Sequence, residues 1–349
     1  MYIYIYVYKQ YGLTLNISKC ELIAENPKKF SDIETFNDFR LIRLEDMTLL
    51  GAPVIGSQAM EATLKEKIRL LENAISRLQE LNSHDGLTIL RNSLGIPKMQ
   101  YILRTSNCAG RPELTEFDEK LRSGLVDILN VELTDSQWSQ ASLPVRSGGL
   151  GFRNAATLAP SAFLASAVST LEIQDAILAQ TFHNPEFAKA ISAWQTLTKE
   201  SPPIQTSQHK QRSWDDAIVK EIYSSLLVSA TTDLDKARLM SVKQPHTGDW
   251  LLAPPITSVG LRMSDGEVRI SAGVRLGALL CQPHICVCET KVDARGIHGL
   301  SCRKNAGRQI RHNSIKDIVW RAMRRAGIPS IKEPLGLLRD DGKRPDGVR

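Results

Sequence analysis

The most constraining feature of this 349-residue chain is a short run of metal-binding side chains. Cys286-Val-Cys288 is followed by nine residues, then His298, three more residues and Cys302. Thiolate and imidazole suit Zn²⁺, and four such ligands complete a closed tetrahedral site. A loop that returns four donors to one ion has little conformational choice, so the spacing predicts a zinc knuckle over residues 281–302. Gly296 and Gly299 flank the histidine and permit a tight backbone there. The Cys-x-Cys spacing is shorter than the common Cys-x₂-Cys, and Cys281 and His284 stand nearby as spare donors. A closed ligand set leaves no position for substrate, so this zinc is structural. The competing reading is a group of buried thiols beside an ordinary surface histidine. Six cysteines in so long a chain do not make a disulfide scaffold. Their clustering suits a reducing compartment, nuclear or cytoplasmic, rather than secretion.

Charge is distributed unevenly around this cluster. Residues 295–349 hold 14 Lys and Arg against 5 Asp and Glu, whereas the rest of the chain holds 30 against 33. The basic excess of the whole chain therefore follows the knuckle and suits a polyanion such as RNA or DNA. Arg303, Lys304, Arg308 and Arg311 come directly after Cys302. Arg311-His-Asn opens an expected helix, capped by Asn313 or Ser314, with Ile315, Ile318, Val319, Ala322 and Met323 on one face. Arg321, Arg324 and Arg325 lie off that face, and Gly327 and Pro329 stop the helix. The bland alternative is a solvated basic surface without a partner.

Hydrophobic periodicity defines the rest. Leu64, Ile68, Leu71, Ile75 and Leu78 alternate spacings of four and three, predicting a long amphipathic helix from Gln58 that Asn82, Ser83, Asp85 and Gly86 end. Further helices are expected over 87–94, 115–133, 155–195, Trp214–Val228 and Asp233–Met240, with Gly95 and Pro97 as breaks. Ser264-x-x-Glu267 is a capping-box signature ahead of Val268, Ala272, Leu276 and Leu279. Residues 199–213, polar with two prolines, read as a linker. Strand signals are confined to the alternating Tyr2 to Tyr8 segment, to 11–23, and to the strand-turn-strand pattern of Met47 to Gly56. Glycines 148, 149 and 151 form neither a phosphate loop nor GxGxxG and predict a tight turn between helices. No apolar run approaches the ~18–20 residues of a membrane span, and the N-terminus has no basic region or cleavage site of a signal peptide. The fold class expected is mostly α with small β elements.

Several short motifs, taken in order, resemble one family. Tyr11-Gly-Leu-Thr-Leu-Asn-Ile-Ser-Lys19-Cys20-Glu21 is similar to the segment following the catalytic aspartates of reverse transcriptases. Leu49-Leu-Gly-Ala-Pro-Val-Ile-Gly56 is similar to the primer grip, and the helices at 58–83 and 87–104 to the thumb. The Cys/His cluster, Arg311-His-Asn, Glu333-Pro and Arg344-Pro-Asp346 follow in the order found in non-LTR retrotransposons with a restriction-like endonuclease. The resemblance implies a palm remnant over 1–57, a thumb-like helical bundle over 58–135, an α-rich connector over 136–200, a second helical region over 201–280, the knuckle over 281–302 and an incomplete α/β nuclease-like start over 303–349. It places Lys19 near the phosphates of an incoming nucleotide, Gly51 to Gly56 near the primer terminus, and Asp346 as first nuclease metal ligand with Glu333 as accessory.

The family's polymerase aspartates and second nuclease carboxylate have no counterpart here, and Glu289 stands where glycine is expected. The resemblance therefore implies an internal fragment of an RNA-directed DNA polymerase and endonuclease, inactive in both, with Mg²⁺ belonging only to the complete parent enzyme. The function expected is residual nucleic-acid binding through the basic C-terminal third, with no membrane and no small-molecule substrate. The alternative is a domesticated, zinc-stabilised protein–protein interaction protein.

Overall fold

In the computed structural model, which describes residues 12, 14, 16–24, 26, 38–54, 57–178, 184–305, 307–332, 334 and 347–348, the apolar stripe beginning at Leu64 becomes one face of helix Ser57–Leu78 (α1). Leu64, Ile68, Leu71 and Leu78 are buried, and Ile75 is half-buried. Asn82 and Ser83 do not end this helix; they open the next one, Ser83–Ile89 (α2), which runs on through a wide π turn at Leu90–Leu94. Pro97 likewise lies in the first turn of Ile96–Thr105 (α3), where its missing amide leaves no helix bond broken. Pro112–Leu129 (α4) buries Leu121, Leu125 and Leu129 and stops where Asn130 turns left-handed at φ 48°. Gly124 lets α4 approach α1 closely: a Cβ there would stand 2.8 Å from Ile75 Cδ1.

Thr134 and Gln137 form a reciprocal capping box at Asp135–Ala141 (α5). The glycine-rich segment after it is the tight turn expected. Gly148 and Gly151 have φ of 91° and 83°, and any Cβ on Gly149 would overlap the Leu143 carbonyl oxygen. Then come Ala155–Leu178 (α6), Pro185–Thr198 (α7), Gln211–Ser229 (α8), Asp233–Val242 (α9), the short turn Asp249–Leu252 (α10) and Asp265–Leu276 (α11). Ser264 and Glu267 exchange the capping-box bonds at the start of α11. Val268, Ala272 and Leu276 are buried, but the helix ends there and Leu279 is exposed.

One helix among the described residues, Ala155–Ile177 within α6, is long and apolar enough to cross a bilayer by length and composition. Its apolarity is spread over alanines rather than an unbroken greasy run, so inspection of the sequence passes over it. It packs on α3, α4, α7 and α8. Phe163, Leu164 and Ala165 share a core with Trp194 of α7 and Trp214 of α8. The two indoles meet edge to face at 5.2 Å, and each donates to a backbone carbonyl, Trp194 Nε1 to Trp214 and Trp214 Nε1 to Gln208. The polar stretch 199–210 therefore connects two helices of one core.

Met1–Leu276 is one compact unit, and Gly277–Arg349 is a second. Among the described residues strands are few and paired in twos. Glu21–Ala24 (β1) lies parallel to Arg40–Arg43 (β2), and Thr48–Leu49 (β3) makes a hairpin with Ala52–Pro53 (β4). In the second unit His284–Ile285 (β5) pairs with Lys291–Val292 (β6), and Ile331–Lys332 (β7) with Gly347–Val348 (β8). The described chain is thus mostly helical with small sheets. The tyrosine alternation of residues 2–8 lies outside the described residues.

Two buried charged side chains hold the first unit. Arg275 of α11 donates to the carbonyls of Gly149, Thr247 and Val145 at 3.1, 3.1 and 2.9 Å. Gln140 of α5 joins the same node, donating to Gly148 and to the Arg275 carbonyl, while Arg238 of α9 donates to Gln140 Oε1. Asp118 of α4 accepts from the amides of Ala155 and Ala156 at 2.7 and 3.0 Å and so caps α6 from outside its own sequence. Burial pushes the Asp118 carboxyl up to about 7.

Arg275→Met is expected to lower unfolding free energy by about 2 kcal/mol, because the buried Gly149 carbonyl and two part-buried ones lose this donor; urea denaturation measures it. The Asp118 carboxyl is held above its ordinary value of 3.8, so its contribution is complete below that pH and is lost as pH rises through about 7. The urea midpoint should therefore fall between mildly acidic and mildly alkaline buffer, and Asp118→Asn should flatten that slope.

Candidate metal centre and basic helix

The second unit is built around a hairpin and one helical turn. β5 and β6 pair antiparallel, and the residues between them, Cys286 to Thr290, form a tight turn closed by Cys286 N to Thr290 O at 3.0 Å and Glu289 N to Cys286 O at 2.7 Å. Turning in so few residues requires a left-handed residue, and Glu289 supplies it at φ 69°. That is the conformation for which glycine is the natural choice, and it explains the glycine expected at this position. The turn directs Cys286 and Cys288 to one side, alternating with an outward Val287.

The other two donors come from one turn of helix. His298–Ser301 (α12) places His298 and Cys302 four residues apart, with Cys302 N bonded to His298 O at 2.9 Å. Residues four apart share a helix face. Gly296 turns the chain into α12 at φ 68°; Gly299 has no such role, since its φ is not positive.

The Sγ atoms of Cys286, Cys288 and Cys302 and a ring nitrogen of His298 all lie within 4.8 Å of one another. Cys286 Sγ is 3.6 Å from Cys302 Sγ, and Cys288 Sγ is 3.1 Å from His298 Nε2. Zn–S bonds of ~2.3 Å in a tetrahedron put sulfurs about 3.8 Å apart, so these separations fit one Zn²⁺. The four residues are the ones the sequence spacing selects. Cys281 instead points at the Asp293 and Ala294 carbonyls, and His284 Nδ1 at the Gln282 carbonyl. The Thr290 hydroxyl and amide lower the Cys288 thiol to about 6, which favours the thiolate a metal needs. Burial raises the Cys302 thiol. No motif in the sequence marks Thr290; its place two residues after a ligand is its only local signal.

The basic residues divide into several groups. Arg303 is exposed directly after the last ligand. Lys304 reaches back and donates to the Val287 carbonyl at 3.2 Å, so its ammonium braces the knuckle. The helix after it, Gly307–Arg325 (α13), begins earlier than expected. Asn305 Oδ1 accepts from Gly307 N, the first amide of the helix, at 2.9 Å, whereas Asn313 and Ser314 lie in its interior and cap nothing. Ser314 instead bonds back to the Ile310 carbonyl. Arg311, Arg321 and Arg325 are exposed along α13, while the side chain of Arg308 lies outside the described residues. Arg324 stacks over the Trp320 ring at 5.3 Å, with Lys332 over the same ring at 4.3 Å. Gly327, at φ 72°, ends the helix as expected. The apolar stripe of this helix is uncovered: Ile315, Ile318 and Val319 are 57%, 67% and 48% exposed.

Lys19 ends the short 3₁₀ turn Ile17–Lys19 before β1 and is exposed. Glu333 and Asp346 lie outside the described residues. In the first unit the β3–β4 hairpin turns through left-handed Leu50 and Gly51, and Tyr101 Oη donates to the Leu50 carbonyl at 2.9 Å. This hairpin borders a cleft of about 910 Å³ that Arg111, Phe163 and Lys189 also line. Ile55 and Gly56 lie outside the described residues.

No protein-family description matches the chain, and no curated protein matches it at a significant level.

Protein purified without chelator is expected to carry one zinc per chain by elemental analysis. The double substitution Cys286→Ser, Cys288→Ser should abolish it, because two of four ligands go. Full zinc retention by that variant would remove the site.

Proposed function

We propose that this chain is a zinc-stabilised nucleic-acid-binding protein whose contacts lie in the unit Gly277–Arg349. The observation that carries the reading is the convergence of four soft donors immediately before a run of cations. The metal gives the knuckle a fixed shape without a large core, and Arg303 leaves it at a defined point. Arg311, Arg321 and Arg325 continue the positive surface over about 21 Å of α13, at 1.5 Å per residue. Phosphates would be met by exposed guanidinium groups, giving affinity with weak sequence dependence. The arrangement suits binding and positioning of RNA or DNA, with zinc structural.

By resemblance, the chain derives from a non-LTR retrotransposon reverse transcriptase with a restriction-like endonuclease. The order of the motifs supports this; Glu289, where glycine is expected, departs from the family pattern while keeping a left-handed backbone. In this reading the helices over 58–135 descend from the thumb, and the β3–β4 hairpin from the primer grip.

A second reading, zinc-supported protein interaction, has one specific observation in its favour. Ile310, Ile315, Ile318, Val319 and Met323 are exposed on α13. Exposed apolar side chains on one helix are the kind of surface on which partner proteins dock.

Salt separates the two. Six engaged phosphates imply a loss of roughly three orders of magnitude in affinity between about 50 and 200 mM salt. Anisotropy titrations of the full chain against labelled DNA and RNA should show that steep decline, and the quadruple variant Arg303→Ala, Arg311→Ala, Arg321→Ala, Arg325→Ala should weaken binding and reduce the salt slope by up to four contacts. Binding that ignores salt, or that survives the quadruple variant, favours the protein-interaction reading.

A further inference from the structure

His84 ties together two segments far apart in the chain. Its ring is buried in α2, and Nδ1 accepts from the Met263 amide at 3.0 Å. An amide can bond only to a ring nitrogen that holds a lone pair, so the ring is neutral with its proton on Nε2. The Ala253 carbonyl also meets the ring. Ala253 and Met263 stand at the two ends of the connection from α10 to α11, so one imidazole fastens both ends of that segment. The connection is otherwise thinly held. Ile256, Val259 and Leu261 are exposed on it, and its own backbone bonds are local: Ile256 N to Pro254 O, Gly260 N to Thr257 O and Leu261 N to Ile256 O. The chain on either side is anchored separately. Arg91 donates to the Leu251 carbonyl before the connection, and Arg275 holds α11 after it. Segments with few buried contacts open at less cost than the whole fold.

Charged groups reach this region from each neighbouring element. Asp85, next in α2, pairs with Arg262 of the connection, and Arg91 comes from the turn after α2. Asp265 of α11 accepts from Ser83 N at 2.8 Å. α4 packs on α2 and brings Asp127, which accepts from Gln79 at 3.1 Å, and Glu132 after α4 lines the same hollow as Ser83. Burial opposes a charge on the imidazole most, and Arg262 and Arg91 add to it against Asp85, so the ring is held below its ordinary value of 6.5. Protonation of Nδ1 would set its new N–H against the Met263 N–H and remove that amide's acceptor. We propose that His84 is an acid-released latch: when the ring takes a second proton, the connection between α10 and α11 opens while the helices on either side stay folded. The latch is complete above about pH 6.5 and is lost as pH falls through the lower folded-state value. The proposal stands independently of nucleic-acid binding.

Amide hydrogen exchange of the full chain, read by mass spectrometry on peptides covering 254–263 and 267–276, tests the latch. After correction for the intrinsic effect of pH, protection of 254–263 should be constant above about pH 7 and should fall, approaching about tenfold per pH unit below about pH 6.5, the slope for one proton taken up on opening. Protection of 267–276 should hold over the same range. Asp118 titrates in this range too, but its contribution grows as pH falls, so it cannot produce the loss. His84→Asn sets a side-chain oxygen near the place of Nδ1, and should keep the Met263 bond while removing the pH dependence. His84→Leu, which fills the space without an acceptor, should leave 254–263 in fast exchange throughout. Flat protection of 254–263 between about pH 7.5 and 5 in the unmodified chain overturns the proposal. Equal loss across 267–276 does so too, as does a His84→Asn chain that keeps the original slope.

Discussion

The first unit depends on a guanidinium that reaches three carbonyls. Arg275 ties the glycine turn at 148–151, the segment leading into α10 and the end of α11 to a single point. Burying a cation is costly unless its donors are all occupied. Here the acceptors are carbonyl oxygens of turns; Val145 O also takes the Gly148 amide of its own turn, and the guanidinium supplies a further donor to each. Each side satisfies the other. The glycines are needed because the backbone must pass under Leu143, and the arginine is needed because that passage exposes carbonyls.

Long-range pairing of this kind recurs. Asp118 caps a helix that begins thirty-seven residues later. His84 of α2 accepts from the Met263 amide just before α11, and Arg262 pairs with Asp85. These links fasten segments distant in the chain through polar atoms rather than through the apolar stripes of the helices. The helices supply the volume of the core, and the polar links fix which helix lies against which.

That division explains what the sequence could tell. Leu64, Leu71, Leu121 and Leu125 repeat at helical spacing, so their helices were legible. Cys286, Cys288, His298 and Cys302 were legible because few side chains bind zinc and all four stand close in sequence. Helix ends were read less well: Asn82 and Pro97 signal both stop and start, and only the partner amide distinguishes them. The partners of Arg275, Gln140 and Asp118 carry no local signature, since a carbonyl acceptor is the same atom in every residue. The exposure of the apolar face of α13 carries no sequence signal, because periodicity reports that a stripe exists and says nothing of whether anything covers it.

Glu289 carries a consequence for metal exchange. A side chain held in the left-handed region costs about 1 kcal/mol relative to glycine. The hairpin must meet that cost whenever the two turn cysteines converge, and it is released when they separate. A metal bound by these four side chains would hold a slightly sprung loop, and its residence time would be several-fold shorter than with glycine at that position.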